Sequence, residues 1–318
     1  RINMQLIEHS SIDTLAPSQW DALNISADPF CRYDFHAALQ QSGSVGGQTG
    51  WQPLHLQVCE GGTTLAILPS YIKQHSYGEY VFDFAWAEAY RQYGLNYYPK
   101  LISTIPFTPC TGQRILLKNP QRLAEVLACI SQHLPSLCQQ YGLSGWHGLF
   151  LTTDEIECVR QQPQTFHWRL GCQYHWVNQG YDDFDHFLNH LNARKRKVIR
   201  RERRLIIEQD ITLRWLTGSA IDQQALANFY RCYQSTHTKR ARQGYLTAHF
   251  FQQLARVMID QMLLVEALHQ GQSVACALFI TGNQRLYGRY WGCQQEYSML
   301  HFEACYYQGI DYCITQGI

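Results

Sequence analysis

Apolar and polar residues alternate from Met4 to His9, the period of a half-buried strand. The next apolar pair, Trp20 and Leu23, falls in a short helix begun by Pro17 and Ser18. A second helix is predicted over Tyr33–Gln41, followed by a glycine-rich loop at 43–50. Apolar runs at 54–58 and 64–72 flank a turn at Glu60 to Gly62, which is a hairpin signal, and a third strand is predicted over 77–84. The clearest helix follows. Asn119 caps it, Pro120 takes its first turn, Leu123, Val126, Leu127, Ile130, Leu134 and Leu137 form one stripe, and Gly142 ends it. Pro135 is expected to kink it. Strand-like runs at 146–151, 166–170 and 172–177 surround a short helix beginning near Thr153.

The second half opens on a predicted long helix, 182–208, with Phe184, Phe187, Leu188, Leu191, Val198 and Leu205 at helical spacing. Then come a strand at 212–216, a helix at 222–234 and another starting at Thr247. A hairpin follows, 262–268 into 274–281, then a strand at 285–291 and a last helix over 300–315. Tyr77-Gly78-Glu79-Tyr80 and Tyr287-Gly288-Arg289-Tyr290 occupy the predicted third strand of each hairpin sheet. That shared position points to an internal duplication and a tandem α/β protein.

Composition narrows the class. The 318 residues are 46% apolar and 16% charged, so the chain is globular rather than disordered. At roughly 100–200 residues per domain, this length suggests two domains, 1–178 and 179–318. No run reaches the roughly 18 apolar residues of a membrane span, and the first ten residues lack a signal-peptide pattern, so a cytoplasmic location is expected. The 12 cysteines contain no CxxC pair and read as small buried hydrophobes. His186 and His190 lack further ligands of a zinc site, and no metal is expected. Neither a nucleophile elbow nor a phosphate-binding loop with its lysine is present.

Charge is uneven. Residues 194–204, RKRKVIRRERR, hold eight basic residues and one acid, leaving 18 basic and 24 acidic residues elsewhere. Like charges repel at i, i+3 and i+4, so an anion should relieve this stretch, although a run of charge can simply be a solvated face. Arg194, Lys195, Arg196 and Arg200 are the candidate anion-binding residues. In the first half Glu79, Asp83, Trp86, Tyr90, Tyr97 and Lys100 lie in an aromatic segment with few charges, which offers faces for a sugar or peptide and acids for an amine. Isolated charges in apolar surroundings are seldom buried without partners, which singles out Asp83 and Lys100. Ordinary core packing would explain the aromatic residues equally well.

The element order resembles the Gcn5-related N-acetyltransferase fold, and two such domains in one chain resemble the FemABX peptidyltransferases. Several segments are closer still to bacterial FemAB-like predicted N-acyltransferases: SGSVGGQTGWQP (42–53), SYGEYVFDFAWAEAY (76–90), YYPKL (97–101), PFTPCTG (106–112), the basic run, LYGRYWGC (286–293) and LHFEACYYQGIDY (300–312). The fold class implied is α/β (α+β), two tandem domains with mixed, mostly antiparallel central sheets. The second domain would stop at Ile318, short of the fold's last strands, leaving a sheet edge open unless the sequence is a fragment or another element covers it.

The activity implied is transfer of an acyl or aminoacyl group from acyl-CoA or aminoacyl-tRNA, a donor substrate rather than a tightly bound cofactor, to an amine such as that of a peptidoglycan precursor. In that fold backbone N–H groups polarise the donor carbonyl, so no nucleophile need be visible. The acetyl-CoA loop Q/R-x-x-G-x-G/A would fall between Gly292 and Leu300, where GCQQEYSML does not match, so the donor stays open. Glu303 is the candidate base, Tyr290 the candidate acid, Arg289 an anion holder, and His301 lies beside them. The ordinary alternative for Glu303 is to complement a helix N-terminus. Two rival readings are a non-catalytic module for a cell-wall precursor or other anionic ligand, and RNA binding through the basic helix alone. Specific DNA binding is not expected.

Overall fold

The structure is a computed structural model that describes residues 4–163, 166–239 and 244–318. The chain divides into two compact units, Arg1–Arg169 and Leu170–Ile318, a boundary slightly before the one expected from sequence.

The first unit runs β1 (Met4–His9), α1 (Pro17–Leu23), α2 (Tyr33–Gln41), β2 (Trp51–Pro53), β3 (His55–Glu60), β4 (Thr63–Leu68), β5 (Tyr71–Lys73), α3 (Phe84–Gln92), β6 (Lys100–Ser103), β7 (Leu116–Leu117), α4 (Leu123–Tyr141), β8 (Trp146–Gly148) and α5 (Thr153–Arg160). Its strands form two sheets, ordered β1-β3-β4-β7 and β2-β5-β6-β8, antiparallel except for β6 beside β8. The expected hairpin is therefore divided. Pro69 and Ser70 separate β4 from β5 as Leu54 separates β3 from β2, and Leu54 N–H donates to the Ser70 carbonyl across the break. The helical stripe of α4 does what its spacing predicts, since Val126, Leu127, Ile130 and Leu137 pack on Leu56, Val58 and other inward residues of the first sheet. Gly142 ends α4 in the left-handed conformation.

The second unit contains α6 (Phe184–Asn189), α7 (Ala193–Glu208), β9 (Ile211–Thr217), α8 (Gln223–Thr238), α9 (Ala248–Met258), β10 (Met262–His269), β11 (Gln272–Gly282) and β12 (Arg285–Cys293). It ends in a composite helix of α10 (Leu300–Phe302), a π-helical turn (Glu303–Tyr307) and α11 (Gln308–Gln316). Its sheet, β12-β11-β10-β9, is antiparallel throughout. Most of β10 and β11 is buried without alternation because both sheet faces are covered. Ile206 of α7, Leu300 and Ala304 pack on one face. On the other, Tyr233 of α8 and Phe251 of α9 meet Tyr290.

Four expectations are corrected. Residues 77–84 are not a strand: Gly78 and Tyr80 have positive φ, and α3 begins at Phe84. A side chain at Gly78 would meet the Phe107 ring at 2.6 Å, so the turn needs glycine. The second Tyr-Gly-x-Tyr does lie on a strand, β12, so the two motifs are not equivalent and carry no duplication. Residues 166–170 and 172–177 are not strands; Leu170 and Tyr174 are almost fully exposed, and alternation without a neighbouring edge does not make a strand. The helix over 182–208 is two helices, because Asn192 turns its side chain onto Lys195 N–H and caps a new start. The β12 edge is met at its end by another element, one of the two alternatives the sequence left open: Ser235 and Thr236 of α8 donate to the carbonyls of Cys293 and Trp291.

Candidate functional site

The second sheet of the first unit places two lysines opposite each other, Lys73 on β5 and Lys100 on β6. Both side chains are fully buried. The turn at 77–83, forced inward by Gly78, delivers Glu79 and Asp83 to them. Lys100 Nζ donates to Glu79 Oε2 at 2.9 Å, Asp83 Oδ2 at 2.6 Å and Ser76 Oγ at 3.1 Å, which uses all three of its hydrogens. The Tyr97 hydroxyl donates to the same Asp83 oxygen at 2.6 Å, and Ser76 and Tyr98 share a hydrogen bond of 2.7 Å. Lys73 is served differently. Its Nζ donates to the Tyr77 carbonyl at 3.1 Å and lies 3.8 Å from the centre of the Trp51 ring, with no carboxylate among its hydrogen-bond partners.

This arrangement pushes the acids apart. Burial raises Glu79 above the ordinary carboxylate range against the pull of Lys100 and Lys73. Burial also acts on Asp83, but hydrogen bonds from Lys100, Ser76 and Tyr97 outweigh it and hold Asp83 below its ordinary value. Burial lowers Lys73 to about 7 and His147 to about 4. Tyr97 is raised by burial and by its bond to Asp83. Two neighbouring acids with opposed shifts, beside an amine poised near neutrality, are the groups from which acid–base chemistry is built. Glu79 Oε1 and Asp83 Oδ1 are buried and accept no hydrogen bond among the described residues. A buried carboxylate oxygen without a donor is costly.

The same segment of the chain carries a run of exposed aromatic side chains, a rim of Tyr77, Tyr80, Phe82, Phe84, Trp86 and Tyr93. Tyr90 packs edge-on against Tyr97, and the Arg169 guanidinium lies 5.7 Å from the Trp86 ring. The structure therefore brings Glu79, Asp83, Tyr90, Tyr97 and Lys100 together, with Trp86 at the rim. Lys73 and Ser76 were missed. Lys73 carries the signal that singled out Lys100, a lone charge ending an apolar run.

The second-unit candidates are not one constellation. Glu303, first residue of the π-helical turn, is buried and accepts from Arg203 Nε at 3.2 Å and Gln308 Nε2 at 2.7 Å, while Arg203 also pairs with Asp311. These bonds to Oε1 tie α7 to the last helix, while Glu303 Oε2 is buried and accepts no hydrogen bond among the described residues. Tyr290 faces Tyr233 and Phe251, with the Arg289 guanidinium 5.0 Å from its ring. Trp291 points to the opposite face, where the His301 ring meets it at 5.4 Å. Adjacent residues on a strand point to opposite faces, so Tyr290 and Glu303 are separated by the sheet. Among the basic candidates, Arg196 donates to the Leu191 carbonyl and Arg200 pairs with Asp185, whereas Arg194 and Lys195 stand in solvent. Among the described residues no group of His, Cys, Asp and Glu could hold a metal, all 12 cysteines are free, and no helix is long and apolar enough to cross a membrane.

Comparison with known proteins places the chain in a family. A family model, FemAB-like, described as peptidoglycan biosynthesis/recognition, matches residues 11–318. The fold is similar to that in a crystal structure of FemX, with 10% identity, a TM-score of 0.48, and coverage of 98% of this chain and 84% of that one. No curated protein matches the sequence.

Proposed function

This chain belongs to the FemAB-like family, and from that premise we propose that it is an N-acyltransferase whose acceptor amine docks on Glu79 and Asp83. The observation that carries the proposal is the pair of buried, undonated oxygens, Glu79 Oε1 and Asp83 Oδ1. An amine arriving as an ammonium supplies the missing donors, and the aromatic rim gives a sugar or peptide faces to lie against. Asp83, held ionised by its hydrogen bonds, keeps the ammonium in place. Glu79, the more basic acid, takes one proton, and the free amine nitrogen attacks the donor carbonyl carbon. The new C–N bond replaces the C–O bond of an aminoacyl ester or the C–S bond of a thioester. The nitrogen loses its second proton as the ribose hydroxyl or CoA thiol leaves protonated. Lys73, lowered to about 7, is suited to pass that proton.

A second reading, a binding module for a cell-wall precursor, is favoured by one observation. Lys100 is satisfied within the fold, as a structural ion cluster would be. Isosteric substitution separates the two. Glu79→Gln should lower kcat for transfer to an amine-bearing peptidoglycan precursor by about 10²- to 10⁴-fold, the range of general acid–base catalysis, with little change in precursor affinity. Asp83→Asn should weaken precursor binding itself. Turnover unchanged in Glu79→Gln, with the variant folded by circular dichroism, would reject Glu79 as the base, and precursor binding by the unsubstituted chain with no turnover from either donor would reject the enzyme reading.

A further inference from the structure

Residues 166–169 end the first unit without regular structure, yet their last side chain is held at two points. Arg169 Nη2 donates to the Phe82 carbonyl at 2.6 Å, and the guanidinium carbon lies 5.7 Å from the centre of the Trp86 ring, which the His167 ring also meets at 6.4 Å. A carbonyl and an aromatic face orient a cation without neutralising it. Among the described residues no carboxylate pairs with Arg169. Phe82 precedes Asp83 in the chain, so standard bond lengths place Arg169 Nη2 within about 8 Å of the Asp83 carboxyl carbon. His147 marks the same neighbourhood: it lies edge-on to Tyr97 at 5.7 Å, and Asp83, Lys100 and Arg169 all act on its charge. An exposed cation without an acid therefore stands beside the cluster in which Glu79 Oε1 and Asp83 Oδ1 lack donors.

We infer that Arg169 binds a carboxylate of the acceptor, and that the acceptor is therefore an amine whose own carbon carries a carboxylate, the free end of an α-amino acid. The inference rests on the docking of an ammonium on Glu79 and Asp83 and specifies the group beside that ammonium. With one hydrogen of Nη2 given to Phe82, the remaining N–H groups of the guanidinium suit a planar carboxylate. The span agrees. Two hydrogen bonds of about 2.8 Å, joined by the roughly 3 Å between an ammonium nitrogen and a carboxylate oxygen on one carbon, reach about 8 Å and no further. A plain alkylamine would leave Arg169 without a counter-ion. A phosphate fits less well, since it lacks the ammonium that Glu79 and Asp83 call for and brings more negative charge toward them.

The test is calorimetric binding of two amines to the full chain at neutral pH. Nε-acetyl-lysine carries ammonium and carboxylate on one carbon, and its α-carboxamide keeps the ammonium and loses only the carboxylate. The first should bind about 10-fold more tightly, the lower end for a hydrogen bond between charged groups because Arg169 is exposed. Arg169→Gln, which can still donate to Phe82, should abolish the preference without altering affinity for the carboxamide, and Arg169→Lys should keep part of it. A role confined to holding residues 166–169 on α3 would weaken both amines alike or neither. A preference retained in Arg169→Gln therefore overturns the inference, as does the absence of any preference in the unsubstituted chain. Binding of neither amine overturns it together with the docking of an amine on Glu79 and Asp83. Transfer assays keep the two proposals apart. A preference that Arg169→Gln abolishes, with no transfer from acyl-CoA or aminoacyl-tRNA, would sink the transferase reading alone. Transfer that Glu79→Gln lowers, made to both amines equally, would sink this one alone.

Discussion

Lys73 shows how much a single residue's setting decides. Its folded pKa, about 7, lies below the ordinary 10.5 of the unfolded chain. Between those values the unfolded chain holds a proton that the folded chain has released, so stability rises with pH across that window. Lys73→Met should flatten the rise, measured by denaturant unfolding from pH 7 to 10; an unaltered profile would show that Lys73 is not buried as a neutral amine. Histidines act lower on the scale. His36 is held well below 6.5 by burial, His55 is lowered to about 3 and His147 to about 4. Each is neutral when folded and takes up a proton on unfolding below pH 6.5, so stability should fall as pH drops from 7 to 5.5, with proton uptake approaching about three per molecule. Stability independent of pH over that range would contradict neutral burial. At this scale Asp83, Lys100 and Tyr97 were legible as lone polar groups among aromatics. Nothing local announced that Glu79 and Asp83 would shift in opposite directions, because the shifts come from which side-chain donors reach which oxygen.

Elements were legible wherever period and punctuation agreed. The α4 stripe, the Thr247 cap of α9 and the β10–β11 hairpin all form close to where their patterns lie. Failures came where a pattern had no partner or a cap intervened: 166–177 alternates without a neighbouring strand, and Asn192 breaks the helix over 182–208. Element packing also imposes a demand invisible in the pattern. At Gly292 of β12 an added Cβ would sit 1.7 Å from the Cys232 carbonyl oxygen of α8, so the helix backbone rests directly on the strand. Gly292→Ala must displace α8 and loosen the hydroxyl contacts of Ser235 and Thr236, and should destabilise the second unit by at least about 2 kcal/mol in equilibrium unfolding. A cost under about 0.5 kcal/mol would mean that α8 does not rest on β12 so closely.

For the whole molecule, the two compact units meet in sequence where the chain is most exposed. Leu170 is 99% and Tyr174 96% exposed, and 167–175 has no regular structure. Brief chymotrypsin treatment should cut first between 168 and 177 and leave two fragments, identified by mass spectrometry. First cleavage elsewhere would contradict that exposure. The same scale explains the charge. The neutral sum hides eight cations in eleven residues, and folding sorts them into three that hold the second unit together and five turned to solvent.

By itself the sequence determined most helices and hairpins, the basic run, the aromatic segment with its isolated charges and the family likeness. These rest on local period, capping and composition, which a reader of one dimension can count. Only the tertiary structure decided that Lys73 lies opposite Lys100, that Tyr290 and Glu303 are on opposite sides of a sheet, and which cations of α7 are spent on partners. Register, facing and pairing join residues far apart along the chain, and no local pattern encodes them.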